Sequence, residues 1–516
     1  RSRPMNTDYA TEPNPRPPLE GDQSPDTVAT EPAPHAPGTA PHRHIKADLA
    51  IIGAGSAGLS AAAGAAMLGL NVVLFEEGEM GGDCLNTGCV PSKALISAAK
   101  YAQAARDSEA HGIKSGAPRT DWAGVQAHIR KAIDTIAPVD SQERFEDLGV
   151  TVIREHAHFS DRNTLASPTA RVTAKRIILA TGSKAAIPPI PGLAMVPYLT
   201  NETLFDIPEL PSHLIILGGG PIGMEMAQAF RRLGSDVTVI EMGKVLARAD
   251  RAHAEIAAQA MADEGVSLLE NHKAVSVSES GGQISVDTER GDGERKSVTG
   301  SHLLVATGRQ AITDGLALEA GDVETDKQGI LVNEKLRSVS NKNVWVLGDA
   351  AGMGQFTHLA GWHASVFVRR AFFKQRTKAT SLPLPAVTYT SPEVAQVGLM
   401  EAEARERFGD SVSVSSFAFD ENDRAIAEGK TKGECKLIIH KGKLLGASIV
   451  GEGAGDIIQI AGYAMSNDMK VQSLTNFISP YPTRAEVVKR AASAHFTDSV
   501  FGKTARTLVS LLQRIP

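Results

Sequence analysis

One device occurs twice in this chain, and nothing else in the sequence restricts the fold as much. Asp48-Leu49-Ala50-Ile51-Ile52 reads as a buried strand. Gly53-Ala54-Gly55-Ser56-Ala57-Gly58 follows, then an alanine-rich helix to Leu70 and a second apolar strand, Val72 to Phe75, that ends at Glu76. Further on, Leu214 to Leu217, then Gly218-Gly219-Gly220-Pro221-Ile222-Gly223, a helix through Phe230 and the strand Val237 to Ile240 ending at Glu241 repeat the pattern. Glycines in such a turn let a pyrophosphate approach the helix N-terminus, and the terminal acid accepts a hydrogen bond from a ribose hydroxyl. One glycine turn has an ordinary structural explanation. Two copies with the same 23-residue spacing, Gly53 to Glu76 and Gly218 to Glu241, predict two Rossmann-like dinucleotide-binding domains of α/β class.

Two more stretches match each other. Arg176 to Gly182 and His302 to Gly308 are each an apolar strand ending in Ala-Thr-Gly, which puts Thr181, Gly182 and Gly308 where each nucleotide domain closes. Asn343 to Leu347 is another buried strand, followed by Gly348 and Asp349. Asp349 can accept hydrogen bonds from a polyol chain or cap the helix that follows. After Leu384, strands at Val387 to Thr390, Lys436 to Ile439 and Leu444 to Val450, with helices near 400–407 and 454–468, predict an α+β domain.

The chain's 516 residues predict several domains. A net charge of −6 leaves no basic footprint for nucleic acid. Ten of the 27 prolines fall within residues 1–44, which carry almost no large apolar residues and read as a disordered tail. No secretory signal is visible, and the apolar run Ala47 to Phe75 suits a buried strand–helix–strand better than a membrane span.

The chemistry sits in Gly81-Gly82-Asp83-Cys84-Leu85-Asn86-Thr87-Gly88-Cys89-Val90-Pro91-Ser92-Lys93. Residues five apart on a regular helix are turned away from each other, so joining Cys84 to Cys89 needs a distorted first turn, for which Gly88 supplies backbone freedom. The spacing predicts a short-loop disulfide that opens and closes. Two unrelated buried thiols or half a metal site are the alternatives, but a structural zinc needs four ligands and the third cysteine, Cys435, is far away. No metal site is expected. Three cysteines make no disulfide framework, which fits a reducing, cytoplasmic compartment where a disulfide is catalytic or redox-sensing.

Together these residues resemble the class I pyridine nucleotide–disulfide oxidoreductases, the group that includes dihydrolipoamide dehydrogenase, glutathione reductase and mercuric reductase. The resemblance covers about residues 46–495. It implies an FAD-binding domain in two parts (46–194 and 326–385), an NAD(P)-binding domain (195–325), a dimerisation domain (386–495) and hence a homodimer, between a tail (1–45) and an extension (496–516). FAD would lie on Gly53, Gly55, Gly58, Glu76, Gly82, Lys93, Thr181, Gly182 and Asp349, the last on the ribityl chain. The nicotinamide nucleotide would lie on Gly218, Gly220, Gly223, Glu225, Glu241 and Gly308, with NADH preferred because a carboxylate at Glu241 repels a 2′-phosphate. Cys89 would be the thiolate against the flavin, Cys84 the thiol that attacks substrate, and Lys93 the flavin-side cation paired with Glu225.

Two departures bear on the substrate. Many members carry His-Pro-Thr-x-x-Glu near the C-terminus; here the stretch is Tyr481-Pro482-Thr483-Arg484-Ala485-Glu486. A phenol, with an ordinary pKa of about 10, is a poor base at neutral pH. Mercuric reductases are similar in carrying tyrosine there, yet they also have a C-terminal cysteine pair, and no cysteine follows Cys435 here. The expectation is therefore a mercuric-reductase-like enzyme passing electrons to a metal ion or a disulfide. Dihydrolipoamide dehydrogenase is the enzyme alternative, and a low-turnover flavin scaffold the alternative of another class. Phe496 to Ile515 is expected to be one amphipathic helix that packs on the dimer or contacts a partner or membrane surface.

Overall fold

The structure, a computed structural model, describes residues 43–327 and 329–515. The expected tail lies outside the described residues except for its last three, and these correct its boundary. Arg43, His44 and Ile45 open the strand Arg43–Ala47, which pairs in parallel with Ala170–Ala174. Three of the five residues of this strand are cationic or imidazole side chains, so no apolar alternation marks it; it forms because a neighbouring strand edge accepts it.

Leu49–Ile52 is the centre of a five-stranded sheet. Its order is Val344–Val346, Ile177–Leu179, Leu49–Ile52, Val72–Phe75, Val150–Ile153, and every pairing is parallel. Leu49–Ile52 is buried throughout, packed by the helix Ser56–Ala66 and by the strand Ala170–Ala174 of a separate four-stranded sheet. A second parallel sheet runs Ser267–Glu270, Asp236–Glu241, His213–Leu217, His302–Val305. The two sheets share one local register: Ile52 faces Phe75 and Leu179, and Leu217 faces Ile240 and Val305. Each glycine turn therefore leaves its sheet between a terminal acid and an Ala-Thr-Gly end. The two Ala-Thr-Gly passages also meet, because Ser183–Ala185 pairs antiparallel with Arg309–Ala311.

Beyond residue 384 the chain builds an antiparallel sheet, Pro385–Thr388, Glu393–Gly398, Lys443–Gly451, Glu434–His440, Val412–Ala418. Ala454–Ser466 and Glu486–Ala494 share its apolar core, where Cys435 is an ordinary buried thiol. The single terminal helix expected over 496–515 is instead two, Thr497–Phe501 and Lys503–Leu512, interrupted at Gly502, whose backbone is extended. None of their residues is buried. Among the described residues no helix is long and apolar enough to cross a membrane, and the run 47–75 folds as strand, helix and strand.

Candidate active site

The two glycine turns are built alike down to single atoms. Gly53 N donates to Phe75 O and Gly218 N to Ile240 O, both at 2.9 Å. A Cβ on Gly58 would sit 1.9 Å from Gly53 O, and one on Gly223 would sit 2.0 Å from Gly218 O. Only glycine lets each helix start that close to its strand. Gly53 and Gly218 have φ of +103° and +106°, and side chains there would meet the carbonyls of Ala180 and Ala306. Glu76 accepts from Ala54 N (2.6 Å) and Gly78 N (2.7 Å); Glu241 accepts from Gly219 N (2.7 Å) and Gly243 N (2.9 Å). Two backbone bonds fix each carboxylate at its strand end, and a carboxylate has lone pairs to spare for a ribose hydroxyl. Space around Gly220, Gly182 and Gly308 is open, whereas Gly82 (φ +61°) stands close against Gly55, where a Cβ would be 2.8 Å from the Gly55 Cα. These cradles fit two dinucleotides.

The redox stretch leaves the first turn as two helices. Gly82–Asn86 carries Cys84, and Cys89 is the first residue of Cys89–Asp107. The break falls at Gly88, where a Cβ would meet Asp83 O at 2.8 Å. Close approach, rather than a left-handed backbone, is what calls for glycine there. The break brings the two sulfurs into hydrogen-bonding contact, both as free thiols, with Cys84 half-buried and Cys89 exposed. Cys89 Sγ also lies 3.2 Å from the Thr357 hydroxyl. The Cys84 hydrogen bond, then Thr357 and the Lys93 charge, bring the Cys89 thiol down to about 6 against the opposing effect of burial. Cys84 is pushed strongly up, first by that same hydrogen bond and then by burial. The pair therefore ionises at Cys89, with Cys84 as donor.

Lys93 is one helical turn past Cys89, on the same face. Its Nζ is 2.8 Å from Glu225 Oε2 and 4.6 Å from the Tyr389 ring centroid, while Glu225 Oε1 accepts from Tyr389 N at 3.0 Å. Glu225 belongs to Pro221–Leu233, the helix of the second glycine turn, and is buried. One ion pair thus ties the redox helix to the second nucleotide fold. Asp349 accepts from the Ser183 hydroxyl at 2.6 Å, and burial raises its carboxyl. His363 Nδ1 accepts from Gly348 N (3.1 Å) and His358 Nε2 lies 2.9 Å from Pro385 O, so both histidines serve structure; burial brings His363 down to about 4.

Four contributors escaped sequence reasoning: Thr357, Tyr389, Arg309 and Asp83. Arg309 donates to Ser183 Oγ (2.8 Å) and Ser183 O (2.7 Å), and pairs with Asp83 at 3.1 Å. Asp83 also accepts from Asn201 and Thr87, each at 2.7 Å. This network joins the cysteine turn to the Asp349 turn. Position beside a motif, Asp83 before Cys84 and Arg309 after Gly308, was the only available signal. Tyr481 and Glu486 stand apart. Among the described residues neither bonds to Cys84, Cys89 or Lys93. The Tyr481 hydroxyl donates to Asp423 (2.7 Å), which pushes its pKa further up, and Glu486 faces Arg490 at 3.9 Å.

Two nucleotide folds, a thiol pair at a helix start between them and a lysine–glutamate bridge define a class of nucleotide-dependent dithiol oxidoreductases. The sequence comparisons agree. The family described as pyridine nucleotide-disulphide oxidoreductase matches residues 47–366, and its dimerisation domain matches residues 384–492. The chain belongs to this family, and it is an FAD-dependent NAD(P)H:disulfide oxidoreductase of the mercuric-reductase-like kind. A mercuric reductase of Streptomyces lividans is 37% identical over 473 residues, 88% of this chain and 97% of that protein. One of Lysinibacillus sphaericus is 34% identical over 448 residues, 86% of this chain and 82% of that protein. Among solved structures, the HOCl-induced flavoprotein disulfide reductase RclA from Escherichia coli matches with a TM-score of 0.78 at 27% identity, covering 86% of this chain and 99% of that one; its Cu(II) complex matches with the same figures.

Proposed function

We propose that this enzyme takes electrons from NADH and delivers them, through the Cys84–Cys89 pair, to a soft or borderline metal ion, with Hg(II) the first choice. The observation that carries this reading is the thiol pair itself, with Cys89 Sγ 3.2 Å from the Thr357 hydroxyl and one helical turn before the Lys93 that Glu225 holds, a setting that favours the Cys89 thiolate. Thiolate sulfur selects soft metals. Likeness to mercuric reductases, and to a reductase solved with Cu(II), supports the same class of acceptor. Bound FAD supplies the relay between nicotinamide and sulfur. Gly53, Gly55, Gly58 and Glu76 hold its pyrophosphate and ribose, Gly82, Thr181 and Gly182 line it, and Asp349 holds its ribityl chain. The other turn, with Gly218, Gly220, Gly223, Glu241 and Gly308, holds the nicotinamide nucleotide. Lys93, kept by Glu225, presents a positive charge that stabilises the Cys89 thiolate, and Cys84 meets the acceptor. Overall, NADH and Hg(II) give NAD⁺, Hg(0) and one proton.

Tyr481 argues against a dithiol substrate. Oxidising a dithiol requires a group to take its protons, because the thiolate attacks. Asp423 makes the Tyr481 phenol a still poorer base, and we assign it, with Glu486, to the partner subunit's site, where its oxygen can ligate the metal rather than take a proton. The matched dimerisation domain supports the homodimer this needs. NADH over NADPH rests on Glu241; of the two nearby cations able to reach a 2′-phosphate, Lys244 is engaged by Glu270 at 2.6 Å, while Arg248 is exposed and counts against the preference. The exposed apolar residues of Lys503–Leu512 continue directly from the dimerisation domain, and we assign them to contact with the second copy. Reliance on open thiols suits a reducing cytoplasm. The test is steady-state NADH and NADPH oxidation with Hg(II), Cu(II), disulfides, quinones and lipoamide. Metal-dependent turnover that favours NADH is expected; efficient dihydrolipoamide turnover with no metal response would contradict the reading.

A further inference from the structure

We propose that a recess at the N-terminal edge of the first parallel sheet binds an oligophosphate anion. Lys175 and Arg176 enter the strand Ile177–Leu179, and Lys342 and Asn343 enter its parallel neighbour Val344–Val346. Arg370 and Lys374 come from the C-terminal end of the helix Thr357–Ala371, and Arg337 from the loop between. These side chains line one recess of about 320 Å³. The Gly53 turn leaves the opposite edge of this sheet and the Gly218 turn belongs to the second sheet, so this is neither dinucleotide site.

Six cations line this recess and no carboxylate does. Lys175 alone is neutralised, by Asp48 at 2.7 Å behind it. A helix C-terminus attracts cations, which accounts for Arg370, bonded to Thr377 O (2.7 Å), and Lys374, bonded to Ala371 O (2.8 Å). It does not account for Arg176, Arg337 and Lys342, which come from other elements and form no ion pair among the described residues. Arg337 is lowered by burial and by the charges of Arg370 and Arg176, so the cluster opposes itself. A chain with a net charge of −6 has acids to place there and places none. A bound polyanion would relieve that repulsion.

The geometry also names the ligand's chemistry. Arg176 lies over the Phe372 ring at 5.5 Å and Arg337 over the Trp345 ring at 5.4 Å; the Arg337 Nε further donates to Lys342 O at 2.8 Å. The Arg337 Nη2 donates to the same carbonyl, which leaves its Nη1 to meet a phosphate oxygen, while the Arg176 guanidinium suits bidentate contact. Trp345 is buried and each ring already carries a guanidinium contact, so neither is an open platform for a base. The recess therefore reads phosphate charge and not a nucleobase. This inference stands independently of the metal-reductase reading.

The test is calorimetric titration of the FAD-loaded homodimer, saturated with NAD⁺, with tripolyphosphate at constant ionic strength. Saturable binding is expected, weakened about tenfold by Arg176→Gln and by Lys342→Gln, since each removes a charge-assisted contact. Arg176→Lys should fall between. Flavin content and NADH oxidation should be unchanged in all three. ATP binding as tightly as tripolyphosphate would assign the phosphate tail of a nucleotide; weaker ATP binding would assign a free oligophosphate. No saturable heat, heat matched by chloride of equal ionic strength, or binding unaffected by Arg176→Gln and Lys342→Gln would overturn the proposal.

Discussion

At the scale of single residues the decisive question is which sulfur is ionised, and the neighbours answer it. Cys89 gains a hydrogen bond from Cys84, another from Thr357 and the charge of Lys93; Cys84, as the donor and by burial, stays protonated against smaller opposing hydrogen bonds from Thr357 and Ser56. A thiol with a lowered pKa is thiolate above that value and loses the charge as pH falls through it. In the two-electron-reduced enzyme the long-wavelength thiolate–flavin absorbance should therefore fade on acidification with a midpoint near about 6. Thr357→Val, by removing one hydrogen bond to the charged form, should raise that midpoint by about one pH unit; a pH titration of the band measures it. Cys89→Ser should abolish the band and Cys84→Ser should keep it, so a band that survives Cys89→Ser would reverse the assigned roles. Sequence motif alone makes the cysteines, Lys93 and the terminal acids legible, because each sits at a fixed offset from a glycine turn. Thr357 and Tyr389 were not legible. Thr357 opens the helix Thr357–Ala371 and Tyr389 follows the strand Pro385–Thr388, each hundreds of positions away, and only tertiary packing brings them there.

At the scale of elements the two glycine turns invite a matched experiment. Gly58→Ala and Gly223→Ala place the same methyl against the same carbonyl, 1.9 and 2.0 Å away, in different folds. Each should cost about 1–3 kcal/mol through local overpacking. Gly58→Ala should lower flavin content, read from absorbance at purification. Gly223→Ala should keep the flavin and instead raise KM for NADH. Equal flavin loss in both variants would show that the turns are not assigned to separate dinucleotides. Seven of the nine strands of the two parallel sheets were legible, because runs such as Leu49–Ile52 and Leu214–Leu217 are uninterrupted apolar stretches ending in glycine, whereas the edge strands Val150–Ile153 and Ser267–Glu270 carry no such punctuation and were missed. The strand Arg43–Ala47 was missed, since an edge strand of charged residues carries no periodic signal. The break at Gly502 was missed for another reason. Apolar periodicity runs through it, and nothing in that pattern marks where the backbone becomes extended.

At the scale of the whole molecule the account depends on two chains. Tyr481 is held by Asp423 on the dimerisation domain, and among the described residues it bonds to no cysteine, so the role proposed for it requires the partner subunit. Tyr481→His should gain dihydrolipoamide activity and lose Hg(II)-dependent NADH oxidation, as a base of ordinary pKa about 6.5 replaces a phenol. Truncation after Phe496 should weaken the dimer, measured by sedimentation as dissociation at concentrations where the full chain stays paired. A dimer unchanged by truncation would reassign the exposed face of Lys503–Leu512 to some other surface. Above both sits the claim that flavin and sulfur form one electron store. Anaerobic dithionite titration of the FAD-loaded dimer tests it most directly. With a two-electron disulfide beside a two-electron flavin, the account predicts uptake of about four electrons per chain in wild type and about two in Cys89→Ser. Uptake of only two electrons by wild type, unchanged by Cys89→Ser, would contradict it.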